Sequence, residues 1–163
     1  MIEPLSITTT SFSLLAICAK LSSLFYNVYD QITNADTTLQ VLAIEITSLS
    51  GVLSSINSTF SSRSITTSNC NSQQTSDETQ HWENVRETLK ECKKPLEELS
   101  EAFRKIQNNT NGGFWRKTKK AVKLNLKADR IGLLKQQLAA YRQSMNMSLQ
   151  CITLYVLFPA EFY

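Results

Sequence analysis

Apolar residues recur along most of this chain at spacings of three and four, the interval that lines side chains up on one stripe of a helix. Four segments carry such a stripe. The first runs Ile7, Leu14, Ile17, Leu21, Leu24 and Val28 and decays near Ile32. The second follows as Leu39, Leu42, Ile46, Leu49, Leu53, Ile56 and Phe60, a heptad seam without a break. In the third, Trp82, Val85, Leu89, Cys92, Leu96, Leu99, Phe103 and Ile106 alternate with Glu, Lys and Arg. The fourth runs Ile131, Leu134, Leu138, Tyr141, Met145, Leu149 and Ile152. Seams sustained this long favour long helices packed side by side. The pattern therefore predicts an all-α fold: a bundle of four to five long helices, mostly antiparallel.

Local signals mark where these helices start and stop. Asp36 is placed to cap the second, and Thr75-Ser76-Asp77-Glu78 offers a capping box to the third. Pro95 interrupts the third segment without shifting the phase of its stripe, so a kink at Glu91 to Pro95 is expected rather than a break. Between the second and third segments, 61–76 is rich in Ser, Thr, Asn and Gln and reads as a flexible loop. Asn108 to Gly113, with two consecutive glycines, closes the third helix, and a basic helix is expected from Phe114 or Trp115. The whole forms one domain over 1–158, followed by a tail at 159–163.

Composition agrees with this picture. Gly (4) and Pro (3) are scarce and 42% of residues are hydrophobic, a balance that suits long helices better than many strands and turns. Cys18, Cys70, Cys92 and Cys151 are widely scattered and form no CxxC pair, so they read as reduced, small apolar residues of a cytosolic protein. The stretch from Leu5 to Phe25 lacks the basic start of a signal peptide. It is interrupted by Ser, Thr and Lys20, and reads as neither a signal nor a membrane anchor.

Charge is distributed unevenly. Residues 1–60 hold one basic side chain (Lys20) against four acidic ones (Glu3, Asp30, Asp36, Glu45), whereas 115–142 hold nine basic side chains against Asp129. Two surfaces emerge. The basic segment sets Arg116, Lys120, Lys123, Lys127 and Arg130 on one face with Lys117 and Lys119 beside it, a pattern suited to an anionic membrane surface. The competing reading is a solvated bundle helix, or one that pairs with Glu87, Glu91, Glu98 and Glu101 of the third helix. The second surface is the nearly uncharged N-terminal helix, with Leu5, Ile7, Phe12, Leu14, Leu15, Ile17 and Leu21 as candidate effector residues. Burial at the centre of the bundle is the plainer reading of it; release into a membrane is the functional one. Nucleic-acid binding is disfavoured because no helix-turn-helix or finger signature accompanies the charge.

Catalytic signatures are missing. The sequence holds no Walker A loop, GxGxxG, GxSxG or HExxH, and His81 is its only histidine. No active site, cofactor, metal or small-molecule substrate is expected.

The opening Met1-Ile2-Glu3-Pro4-Leu5-Ser6-Ile7, followed by a small-residue helix and Lys20-Leu21-Ser22-Ser23-Leu24, resembles the HeLo-like N-terminal domain of fungal STAND (NLR-like) receptors. The Leu42 to Leu53 segment, Trp115-Arg116-Lys117 and the stripe from Ile131 to Leu149 are similar to that family too, so the likeness spans most of 1–152. The resemblance implies a cytosolic helical bundle that serves as the signalling or effector part of a receptor in programmed cell death or innate immunity. Related domains can damage membranes through an exposed N-terminal helix. No nucleotide-binding module follows the bundle here, which fits either an isolated bundle or a truncated product. The sequence thus points to a non-enzymatic signalling bundle, cytoplasmic or peripheral at a membrane, that works by self-association or by binding a partner helix. Its alternative is an autonomous scaffold or regulatory bundle without membrane activity.

Overall fold

A computed structural model describes residues 4–31, 37–67, 76–108 and 128–157, with side chains over 6–26, 40–62, 77–105 and 130–155. All the described residues are helical: α1 (Pro4–Gln31), α2 (Thr37–Thr67), α3 (Ser76–Asn108) and α4 (Ala128–Leu157). The Asp36 cap, Cys70, the segment 109–127 and the tail 159–163 lie outside the described residues.

Each helix exists because one stripe of it has somewhere to go. Ile7, Leu14, Cys18, Leu21, Leu24 and Phe25 of α1 meet Leu42, Ile46, Leu49, Leu53 and Ile56 of α2 in a single core. That core also takes Trp82, Val85, Leu89, Cys92, Leu96, Leu99 and Phe103 of α3, and Ile131, Leu134, Leu138, Met145, Leu149 and Ile152 of α4. Fully burying one such aliphatic side chain contributes about 1.5–3 kcal/mol, which dwarfs the weak helix propensity of the Ser- and Thr-rich α1 and α2.

Pro95 lies inside α3 and does not divide it, as the unbroken phase of the stripe required. One boundary departs from expectation. The polar run that begins at Ser61 stays helical to Thr67, so α2 takes the first part of the stretch expected to be a loop. Polar composition alone does not end a helix when Gly and Pro are absent. Hydroxyls in this helix also bond back to it: Ser55 Oγ donates to the Gly51 carbonyl and Ser58 Oγ to that of Ser54, at 3.0 and 3.1 Å.

The helices form a ring in the order α1, α2, α4, α3, with contacts between each neighbouring pair. Five residues join α1 to α2, which makes these long neighbours antiparallel. Arg130 near the start of α4 pairs with Glu98, and Tyr155 near its end meets His81 near the start of α3, so these two are antiparallel as well. The Phe25 and Phe103 rings, each near the C-terminal end of its helix, touch and make α1 parallel to α3. Consecutive helices therefore alternate in direction as expected, while the ring order makes two neighbouring pairs parallel. The chain crosses the diagonal from α2 to α3, where Phe60 and Trp82 meet edge-on with centroids 4.9 Å apart.

Candidate interaction surface

The ring order divides the bundle into two halves of different chemistry. One is the α1–α2 pair. Within 6–26 the only ionisable carboxylate or amine is Lys20, and within 40–62 it is Glu45. The outward face of α1 presents Thr9, Phe12, Ser13, Ala16, Ala19, Ser22, Ser23 and Tyr26; Phe12 is 62% exposed and Tyr26 72%. That of α2 presents Val41, Ile44, Thr47, Gly51, Ser54, Ser55 and Ser58, with Ile44 63% exposed. Nothing lies within 4 Å of a Cβ built on Gly51, so this part of the face is open.

Several hydroxyls of this half are bonded back to their own helices. Thr10 Oγ1 donates to the Ser6 carbonyl at 2.7 Å, Thr47 Oγ1 to that of Ala43 at 2.9 Å and Ser50 Oγ to that of Ile46 at 3.0 Å. A hydroxyl bonded in this way needs no water, and it carries little penalty in an apolar environment. Ser6–Tyr26 (21 residues) and Gln40–Ser62 (23 residues) are accordingly long and apolar enough to cross a membrane by length and composition, although the core helix of a soluble protein passes the same test. This amends the expectation that the stretch from Leu5 to Phe25 falls short of a span.

The structure also corrects the expected place of the first helix. It is not central: α1 is one corner of the ring, packed on α2 and α3 with its third side outward. Of the candidate effector residues, Ile7, Leu14 and Leu21 are fully buried, Leu15 and Ile17 are partly buried, and Phe12 is exposed. The side chain of Leu5 lies outside the described residues. The helix thus faces its stripe inward and offers small polar residues and one phenyl ring outward.

Two polar side chains are trapped inside this half. Burial raises the Cys18 thiol of α1 above its ordinary value, and the nearby Ser50 hydroxyl of α2 pulls it partly back. Ser11 stands seven residues before Cys18 along α1, and Asn57 seven residues after Ser50 along α2. Ser11 is fully buried and Asn57 is 8% exposed, yet the Ser11 hydroxyl and both amide atoms of Asn57 have no partner among the described residues.

The α3–α4 half carries the charge. Glu87 binds Lys90, Glu101 binds Arg104, and Glu83 binds Arg86, all along α3. The hydrogen bond from Lys90 holds the Glu87 carboxyl below its ordinary range, as that from Arg104 does for Glu101. Among the described residues, Glu98 of the four expected glutamates meets the candidate face, accepting from Arg130 Nη2 at 2.6 Å. Glu87 and Glu101 are bonded within α3. Arg116, Lys117, Lys119, Lys120, Lys123 and Lys127 lie outside the described residues. His81 is half-buried beside Tyr155, with ring centroids 6.0 Å apart.

One feature is not announced by the periodicity. A groove of ≈ 490 Å³ opens between α3 and α4, lined among others by Glu91, Pro95, Leu133, Leu134, Gln137 and Tyr141. Pro95 has no N–H to offer the Glu91 carbonyl one turn earlier, so an acceptor is left over beside the groove. Burial, and then the Glu91 carboxylate, raise the Tyr141 phenol above its ordinary value. The internal proline is the available signal, although on its own it indicates a kink and not a groove. Among the described residues, no group of three His, Cys, Asp or Glu is placed to hold a metal ion.

In comparisons with known proteins, no family model, curated protein or solved structure matches the chain.

Proposed function

We propose that this protein is a non-enzymatic signalling module that acts through the α1–α2 half of its bundle, by association with a partner helix, with a second copy, or with a bilayer. One observation carries the reading: two neighbouring helices form a long outward face that is almost uncharged, while ionisable side chains crowd the other half. A bundle that only needs solubility gains nothing from stripping charge off one side, since exposed charge is what resists association. The likeness to the HeLo-like domains of fungal receptors points the same way, towards an effector role in cell death or immunity with membrane perturbation as one output.

The second reading is a closed scaffold without membrane activity. What favours it is the burial of most of the apolar stripes of α1 and α2, from Ile7 to Phe25 and from Leu42 to Ile56. Light scattering across a concentration series, with phosphatidylcholine vesicles and with vesicles containing phosphatidylglycerol, separates the two. Concentration-dependent assembly or vesicle binding is expected for the association module. A strictly monomeric protein that ignores both vesicles leaves the scaffold.

A further inference from the structure

The α1–α2 half joins the rest of the bundle along two interfaces, α1 on α3 and α2 on α4. Among the described groups, the first is apolar at its centre, with the Phe25 and Phe103 rings and buried Cys18 and Cys92, while at its exposed edge Lys20 of α1 favours the charged form of Glu101 on α3 without a direct ion pair. The second holds one ion pair. Arg142 Nε donates to Glu45 Oε2 at 3.0 Å and Nη2 to Oε1 at 3.4 Å, a two-pronged contact between residues 97 apart in sequence. The Glu45 side chain is 16% exposed and that of Arg142 33%, so the pair is shielded from solvent more than any other ion pair described. The others lie along α3 or join α3 to α4.

We propose that Glu45 and Arg142 form the latch that keeps the α1–α2 half closed on α3–α4. The proposal rests on the association reading above and names how that surface is controlled. Apolar contacts have no direction and tolerate sliding, whereas a forked guanidinium–carboxylate contact has one geometry and fixes the register of α2 on α4. Glu45 is also the only ionisable residue of the 23-residue stretch Gln40–Ser62. Opening the seam in an apolar setting would leave that carboxylate unpaired on an otherwise uncharged helix, which is strongly unfavourable. Closed, Arg142 neutralises the one charge that α2 carries; open, that charge opposes entry into lipid. One pair therefore sets both the strength of the seam and the barrier to lipid entry once the seam has parted.

The two ends of the latch then differ in a way that a simple structural contact would not. Removing the carboxylate with Glu45→Gln loosens the seam and also removes the charge. Removing the cation with Arg142→Gln loosens the seam but leaves the carboxylate on α2.

The test uses the full chain, with amide hydrogen exchange across 40–62 and dye release from phosphatidylcholine–phosphatidylglycerol vesicles as separate readouts. Glu45→Gln is expected to speed exchange along α2 by about tenfold and to raise dye release in step. Arg142→Gln should speed exchange similarly with a smaller rise in release, and the exchanged pair Glu45→Arg with Arg142→Glu should restore both towards the parent protein. Arg142→Lys, which keeps the charge but loses the fork, gives an intermediate exchange rate and guards against a glutamine variant that does not fold. Unchanged exchange in folded Glu45→Gln and Arg142→Gln overturns the latch. Faster exchange with no variant acting on vesicles upholds the latch and overturns the lipid branch of the association reading instead.

Discussion

The ring of Phe25 meets that of Phe103 edge-on, with centroids 4.4 Å apart and planes inclined by 62°. Both are almost fully buried, and they join the C-terminal ends of α1 and α3. Phe103→Ala should cost about 3–5 kcal/mol of stability by urea unfolding. A cycle with Phe25→Ala should show a coupling of about 0.5–1.5 kcal/mol, as edge-to-face pairs do. Strictly additive losses would mean that the rings do not interact.

Asn57 should be a weak point. Its amide is buried with no partner among the described residues, and leaving such a group unpaired costs about 1–3 kcal/mol. Asn57→Leu keeps the number and branching of the side-chain heavy atoms, at a somewhat larger volume, and removes the polar atoms. The urea midpoint should rise, and a fall would show that Asn57 holds a bond that matters to the fold.

Pro95 is buried in α3 and lacks the N–H that would bond the Glu91 carbonyl. Pro95→Ala supplies that donor. Proline is about 3 kcal/mol worse than alanine inside a helix, and the lost ring packing offsets part of the gain. A higher melting temperature with stronger ellipticity at the helical minimum is expected. A lower one would show that the ring's packing outweighs the backbone bond.

Cys92 makes stability fall in alkali. Burial, and then the neighbouring Cys18, push its thiol from the ordinary 9.0 up to about 12. Below pH 9.0 the thiol is neutral in both folded and unfolded chains and stability is unaffected by it. Between 9.0 and about 12 the unfolded chain loses the proton that the folded chain keeps, so unfolding gains and stability declines. Urea titrations across this window should show a shallower decline for Cys92→Ala than for the parent protein. Thiol reagents at neutral pH should modify half-buried Cys151 well before Cys18 or Cys92.

How far the sequence foretold this molecule depended on which physical term decided each feature. The stripes from Leu42 to Ile56 and from Trp82 to Phe103 were legible because burial of one face controls a long helix, and burial leaves a period in the sequence. The continuation of α2 through Ser61 was not, since hydroxyls bonding back along the helix leave no such period. Glu45 is one of four acids in the sparsely charged first sixty residues, but its partner 97 residues away depends on ring order, which local spacing does not encode. The basic residues from Arg116 to Arg130 stand out by number, and the last of them, Arg130, pairs with Glu98 across α3 and α4. Similarly, α1 read as central because it lacks charge; a corner helix with an uncharged outer side fits the same residues.

The ring order also bears on how the molecule assembles itself. Each antiparallel pair, α1 with α2 and α3 with α4, is close in the chain, whereas both parallel contacts join residues far apart in it. Closing a short loop is entropically cheaper and faster than closing a long one. The two hairpins should therefore form early and separately, and their mating surface should be the last to zip and the first to part. During synthesis, the N-terminal hairpin leaves the ribosome before its mate exists. For that interval its leucines must be shielded by something other than the chain itself.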